Sequence, residues 1–155
     1  MRRLLLFAFL SVFFVSVQAQ PMLKYRTRKV LGKTAVVLFA AQKELKASKN
    51  YTGDFAMAVA HQRFAKRLFI RRNFRIAAEH SRFARTLAFK VLRDNKAIIQ
   101  KDWEVSADEQ EVMETLSDKD LRDELLKMNS NVELKDEDLM NDTLKDVDVD
   151  DLSDQ

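Results

Sequence analysis

The chain has 155 residues and a formal net charge of +3, and it contains no cysteine, so it can form no disulfide framework and offers no thiol for a lipid anchor. Its length suits one modest hydrophobic core. The small net charge hides a division, because residues 20–101 carry 20 Lys and Arg against four acids, whereas residues 102–155 carry five against 20. We therefore expect a basic α-helical domain followed by an acidic part that is attracted to it.

The first 19 residues have the pattern of a secretory signal peptide. Arg2 and Arg3 precede an apolar run over residues 4–15, and Ala19 is a small residue that allows cleavage before Gln20. The run is shorter than the roughly 20 residues that cross a bilayer, and no second apolar run follows. The sequence thus predicts a secreted or periplasmic protein with no transmembrane span after the signal is removed.

The composition of the remaining chain predicts an all-α fold. Two glycines and one proline leave few helix breakers, and Ala, Leu, Lys, Arg and Glu favour helix. After a frayed basic lead over residues 21–32, we expect a first helix over residues 33–48. Its buried face would comprise Val36, Val37, Ala40, Ala41 and Leu45. Gly53 then permits a turn, and Asp54 is positioned to cap the next helix.

Two further helices, expected over residues 54–71 and from the turn at residues 72–73 to about residue 95, form an antiparallel hairpin. The pattern His-x-Arg-Phe-Ala-basic-x-Leu starts at His61 and again at His80. In each copy the His, Phe, Ala and Leu recur at i, i+3, i+4 and i+7, so they form one stripe on their helix. The sequence therefore predicts a small helical bundle built on this hairpin.

The hairpin alternates large and small residues at characteristic positions: Phe64, Ala65, Leu68, Phe74, Ala77 and Ala84. On these residues the chain resembles a single tetratricopeptide-type helical hairpin over residues 58–89. Arg72 stands where that family usually has a turn glycine. The resemblance implies a scaffold that binds proteins and catalyses nothing.

Residues 102–155 are predicted to form short acidic helices and a disordered tail. Ser106 and Glu109 have capping-box spacing, and Ser117 can cap a second helix. From Asp146 onward the acidic sequence is typical of a disordered tail. Trp103, at the junction with the basic domain, is expected to be a packing anchor.

Eight basic side chains are predicted to line the outer faces of the hairpin: Arg63, Lys66, Arg67, Arg71, Arg72, Arg75, Arg82 and Arg85. Like charges at i,i+4 destabilise a helix by about 0.2–0.5 kcal/mol per pair, so we expect a neutralising partner. A groove edged by five of these arginines would bind the chain's own acidic segment or an acidic segment of a protein partner. This predicts an exported, non-enzymatic interaction or scaffold protein. The alternative is a protein that binds an anionic surface, such as lipid headgroups or a polysaccharide, under the control of its acidic tail.

The two histidines are the candidate metal ligands, although two alternatives for their placement remain open. In the tetratricopeptide-like register His61 lies close to His80 and Ser81, whereas in a hairpin symmetric about Phe74 the rings are roughly 10 Å apart. Only the first register permits a shared site, and zinc normally takes three or four protein ligands. We therefore favour partly buried histidines with a hydrogen-bond partner such as Ser81 over a metal site.

No catalytic or cofactor motif is present in the sequence. It has no Gly-rich phosphate loop, no nucleophile elbow and no HExxH helix, so we expect no enzymatic activity and no cofactor. It also has no base-reading motif and no exposed row of stacking aromatics, so specific recognition of nucleic acid is not expected.

Overall fold

The computed structural model describes residues 2–113, 116–128 and 135–152, and it describes side chains from Gln20 onward, except that of Asp151. Five α-helices follow one another: α1 (Arg2–Ser48), α2 (Asp54–Ile70), α3 (Phe74–Asp94), α4 (Ala107–Gln110) and α5 (Asp118–Met128). Three short 3₁₀-helices cover Lys101–Trp103, Glu137–Leu139 and Asp150–Leu152. The described residues contain no strand, which confirms the all-α prediction. Among them, no helix combines the length and the apolar character needed to cross a membrane.

Helix α1 is much longer than predicted, because it continues from Arg2 through Pro21 to Ser48. Residues 21–32 are therefore helical, and the prediction of a frayed lead was wrong. The physical reason is that Val30 and Leu31 are fully buried and extend the apolar face of the helix. Val36, predicted to be buried, is 52% exposed.

Helices α2 and α3 form the predicted antiparallel hairpin, and their apolar stripes face one another and α1. Large and small side chains alternate in this core, as they do for Phe64 and Ala65 on α2 and for Phe83 and Ala84 on α3. The predicted helix boundaries agree with the structure to within one residue. The hairpin is thus the frame on which the other elements pack.

The turn between α2 and α3 contains a residue in the left-handed backbone region. Arg72 has a φ of 62°, and the N–H of Asn73 donates to the carbonyl of Leu68 at 2.9 Å. The same geometry ends α3, where Lys96 has a φ of 56° and the N–H of Ala97 donates to the carbonyl of Leu92. Both positions are ones that glycine occupies without strain.

The acidic C-terminal part completes the hydrophobic core instead of remaining disordered. Six of its apolar side chains are buried against the hairpin and α1: Leu139, Met140, Leu144, Val147, Val149 and Leu152. The prediction of a disordered tail from Asp146 was therefore wrong as far as Leu152, because valines alternating with aspartates allow one side to be buried and the other solvated. Residues 153–155 lie outside the described residues.

Side chains of the hairpin and of α1 bind the backbone of this segment. The amide of Gln42 donates to the carbonyls of Leu139 at 2.7 Å and Asp142 at 2.9 Å. The amide of Gln62 donates in the same way to the carbonyls of Leu31 and Val147. Buried carbonyl groups that would otherwise lack a partner are thereby satisfied.

Asp136 caps the N-terminus of α2. Its carboxylate accepts hydrogen bonds from the backbone N–H groups of Thr52, Gly53 and Ala56 at 2.7–3.0 Å, and it is only 1% exposed. We had expected Asp54 to be the cap, but Asp54 is the first helical residue and pairs with Lys90. A residue 80–84 positions away along the chain thus satisfies the first turn of α2.

The predicted caps of the acidic helices are confirmed. Ser106 and Glu109 form a capping box on α4, and the N–H of Asp120 donates to the hydroxyl of Ser117 at the start of α5. Trp103 is 9% exposed and packs into the main core cluster, as expected for an anchor.

Candidate functional site

The acidic segment binds two of the predicted site residues by surface ion pairs. The guanidinium of Arg63 lies 2.7 Å from Asp142 and 2.6 Å from Asp146, and that of Arg82 lies 3.5 Å from Asp118. The pKa of Asp142 falls below its ordinary value because the Leu144 N–H and Arg63 outweigh the effect of its partial burial. Neutralisation in cis, one of the two predicted alternatives, thus holds for these residues.

Arg85 is buried, which corrects its predicted place on the outer face of the hairpin. Only 1% exposed, it donates to both carboxylate oxygens of Glu109, at 3.0 and 3.4 Å. Its remaining donors bond to the carbonyls of Val30 and Trp103 and to the hydroxyl of Thr34. It therefore cannot reach an external ligand.

Glu109 is the buried counter-charge of Arg85. Lys33 adds a second cation 3.1 Å away, and the N–H of Ser106 donates to the same carboxylate. Burial raises the pKa of Glu109, but the hydrogen bonds and charge of Arg85 outweigh it, so the pKa lies below its ordinary value. A fully hydrogen-bonded ion pair of this kind joins the acidic segment to α1 and α3.

Four of the predicted site residues remain exposed at one end of the hairpin: Arg67, Arg71, Arg72 and Arg75. We call this group, which surrounds the turn between α2 and α3, the basic end. Within the described ranges, none of the four guanidinium groups forms an ion pair with a carboxylate. Lys66, the eighth predicted site residue, is only 8% exposed and does not belong to this group.

A cleft of about 470 Å³ opens at the basic end, between the turn and α1. Its apolar walls come from Pro21, Phe69, Ile70 and Phe74, and its cationic residues are Lys24 and Arg72; Gln20 completes the lining. Phe69 and Phe74 meet edge to face, with ring centroids 5.2 Å apart. Among the residues that the structure describes, no acidic side chain lines the cleft, so it suits a ligand that carries negative charge.

The two histidines meet inside the hairpin, as the tetratricopeptide-like register predicts. Their rings stack with centroids 5.1 Å apart, and Nδ1 of His61 lies 2.9 Å from Nδ1 of His80. Nε2 of His80 lies 3.3 Å from the carboxylate of Glu124 on α5. Ser81, the partner we had expected, instead donates to Gln62 or Thr34. Both histidines are fully buried, not partly buried as predicted.

The hydrogen-bond partners define the protonation of this pair. The carboxylate of Glu124 only accepts, so Nε2 of His80 carries a proton and its Nδ1 accepts from Nδ1–H of His61. Nε2 of His61 is then an unprotonated nitrogen, and it has no hydrogen-bond partner among the described residues. Both rings are neutral in this arrangement, which forms a polar chain from the core to α5.

Burial lowers the pKa of both histidines. For His61 the pKa falls from 6.5 to about 3, through burial first and then through the charges of His80 and Arg122. For His80 burial lowers the pKa, although Glu124 opposes that effect. The folded protein thus keeps both rings neutral at pH values where the unfolded chain binds protons.

We expect acid to destabilise the fold through these histidines. Because their folded pKa values lie below 6.5, stability is fully present above pH 6.5 and decreases as the pH falls towards 3. At pH 5, His61 alone should cost about 2 kcal/mol. Urea unfolding at pH 7 and pH 5 measures this, and the double variant His61→Leu/His80→Leu should be less sensitive over that interval. Since the chain has no other histidine, equal stability of the wild type at both pH values would contradict the expectation.

The histidine pair lacks the ligands of a stable metal centre. In the part of the chain that the structure describes, no three His, Cys, Asp or Glu residues are grouped to hold a metal ion. Glu124 contacts the ring nitrogen of His80 that points away from His61. The geometry thus favours the structural role of the pair.

Helix periodicity alone was used to predict where the arginines lie, and it does not indicate two features of the structure. These are the burial of Arg85 and the capping of α2 by Asp136. One signal in the sequence could have indicated the burial of Arg85. Glu109 was predicted as a capping-box residue, which fixes its place at the start of α4, but it was not considered as the ion-pair partner of Arg85. No family model, curated protein or solved structure matches this chain, so the resemblance to a tetratricopeptide hairpin stays a prediction.

Proposed function

We propose that the protein is an exported, non-enzymatic helical protein that binds an anionic surface through its basic end. The observation that carries this proposal is the division of the predicted arginine site. Arg63, Arg82 and Arg85 are bound in cis, whereas the four arginines of the basic end are exposed and without a carboxylate in the described structure. Concentrated positive charge of this kind attracts polyanions.

The shape of the site supports a surface as the ligand more than a peptide in a groove. The predicted groove for an acidic partner was edged by Arg63, Arg67, Arg71, Arg82 and Arg85. Acidic residues of the chain itself already pair with three of these five, namely Arg63, Arg82 and Arg85. What remains accessible is the end of a two-helix hairpin. Several ligand charges must be presented together for that end to bind with useful affinity, because each exposed ion pair contributes only about 0–1 kcal/mol.

An acidic segment of a protein partner is the second candidate ligand. The observation in its favour is the contact of Arg63 with Asp146, since Asp146 is followed by the buried Val147. The chain itself thus presents a peptide in which acidic and apolar residues alternate against this side of α2. A second cleft lies beside Arg63 and Asp146, and Ile70 lines both this cleft and the one at the basic end, so a second segment could continue along the same helix.

Export and the lack of enzymatic activity belong to the proposal as well. The signal-like residues 1–19 support export. The contacts of the buried ionisable groups support a structural role, because Arg85, Glu109 and the histidines are bound to one another or to the backbone. Nothing in that arrangement positions a nucleophile next to a base.

Replacing Arg72 by glycine should separate stability from binding. The left-handed conformation costs an ordinary residue about 1–2 kcal/mol, whereas glycine adopts it freely, so Arg72→Gly should raise the free energy of unfolding by about 0.5–1 kcal/mol. The same change removes one cation of the basic end. We therefore expect weaker retention on a heparin column, measured as the salt concentration needed for elution.

Lys96→Gly is the matched control. It removes one positive charge from an exposed residue that has the same backbone conformation, at the opposite end of α3. This variant should gain similar stability and elute from heparin almost like the wild type. Equal shifts for the two variants would mean that heparin responds to net charge and not to the basic end.

A further inference from the structure

We infer that the anionic surface bound by the basic end is a lipid leaflet, into whose interface apolar side chains around that end insert. This inference rests on the proposed function and names its ligand. An apolar side chain is also exposed next to the four arginines. Ile70 is 50% exposed at the C-terminal end of α2, between Arg67 and Arg71. Cations thus lie on both sides of an exposed apolar side chain.

Helix α1, which forms one wall of the cleft, carries two more exposed apolar side chains. Met22 is 55% exposed and Tyr25 is 67% exposed, and they flank Lys24, which lines the cleft together with Ile70. A polysaccharide or a nucleic acid backbone offers these groups little apolar surface. A lipid interface offers both anionic headgroups and acyl chains, and tyrosine is favoured at that depth.

The cleft can take part of one lipid molecule. Its volume of about 470 Å³ lies within the range of small-molecule sites, and its walls are apolar at Phe69, Ile70 and Phe74. The cationic groups of Lys24 and Arg72 lie in the same lining. Apolar walls combined with cationic groups and no acidic residue match an amphiphile that carries a negative headgroup.

The apolar residues 4–15 belong to the same helix that forms one wall of this cleft. At 1.5 Å per residue they extend about 18 Å, which is less than the roughly 30 Å of a hydrocarbon core. Before the signal is removed, this segment would strengthen attachment to one leaflet. After removal, the basic end with Met22, Tyr25 and Ile70 would remain, and binding would become weaker and sensitive to salt.

Vesicle sedimentation tests the inference. The full chain, and in parallel a chain that starts at Gln20 and keeps every residue of the described core, is mixed with vesicles of phosphatidylcholine alone or with 30% phosphatidylglycerol. We expect preferential binding to the anionic vesicles. Arg72→Gly should lower it about fivefold, as expected for the loss of one basic residue near a charged membrane, and Lys96→Gly by less than twofold.

A second pair of variants tests the apolar contact, which distinguishes lipid from other polyanions. Ile70→Ser should weaken vesicle binding about threefold to tenfold and leave heparin retention unchanged. Ile98→Ser is the matched control, since Ile98 is 87% exposed beyond the opposite end of α3, and it should change neither.

The outcomes separate the inference from the proposed function. Retention on heparin without preference for anionic vesicles would overturn the lipid inference and leave the proposed function intact. Unchanged vesicle binding by Ile70→Ser would overturn the insertion of apolar side chains. If neither heparin nor anionic vesicles bind, both proposals fail, and binding of the acidic peptide "DVDVDDL" alone would favour the second candidate function.

Discussion

A chain truncated after residue 134 should lose cooperative folding. The deletion removes six buried apolar side chains, among them Leu144 and Val147, which are completely inaccessible to solvent. Burial of each is worth about 1.5–3 kcal/mol, so the total reaches about 10 kcal/mol or more, comparable to the 5–15 kcal/mol that stabilises a typical domain. It also removes Asp136, the cap of α2. Thermal unfolding followed by circular dichroism should show no sigmoidal transition.

The control for this deletion keeps the segment and changes only its charge. Glu137 and Asp138 are exposed, and the double variant Glu137→Gln/Asp138→Asn should unfold within about 0.5 kcal/mol of the wild type. If the truncated chain instead unfolds cooperatively, the acidic segment merely covers a core that is complete without it. That result would contradict its role as part of the core.

Replacing Arg85 by methionine should destabilise the fold by about 3–5 kcal/mol. The reason is the charge left behind, because Glu109 would stay buried with Lys33 as its remaining cationic partner. Chemical denaturation at pH 7 measures the loss. Loss of the hydrogen bonds to the carbonyls of Val30 and Trp103 contributes to it.

The double variant Arg85→Met/Glu109→Gln separates the ion pair from simple packing. If the two charges stabilise each other, the double variant should lose at least about 2 kcal/mol less than the sum of the two single losses. Arg93→Met is the comparison on the same helix, since Arg93 is exposed and pairs with no buried carboxylate among the described residues, and it should cost less than about 1 kcal/mol. Additive losses for Arg85 and Glu109 would show that the pair is not coupled.

Helix periodicity and turn residues were sufficient to predict the hairpin. The pattern repeated from His61 and His80 predicted both apolar stripes correctly. Of the two registers left open, the structure has the one in which the two histidine rings meet. The predicted start of α1 was wrong because the basic residues around Val30 concealed an apolar face that continues towards Leu23. Proline at position 21 did not end the helix. The local sequence thus predicted the bounds of α2 and α3 correctly and the start of α1 incorrectly.

The candidate site could be predicted only in part, because charge does not reveal depth. Arg72 and Arg85 look alike in the sequence, yet one is exposed and the other is 1% exposed. The difference arises from Glu109, which approaches from a distant part of the chain. Long-range pairs of this kind follow from tertiary packing and have no periodic signal. The opposite charges of the basic and acidic parts predicted that the two parts would contact each other. They did not predict which arginines would remain exposed and outside that contact.

The cap of α2 by Asp136 has a consequence for the order in which the chain can fold. The ribosome supplies residues 1–113 before the segment that fills the core and satisfies the first turn of α2. Until that segment emerges, the hairpin lacks one wall and cannot reach its final packing. We therefore expect the hairpin of a newly made chain to reach its final packing only after residues 135–152 have emerged.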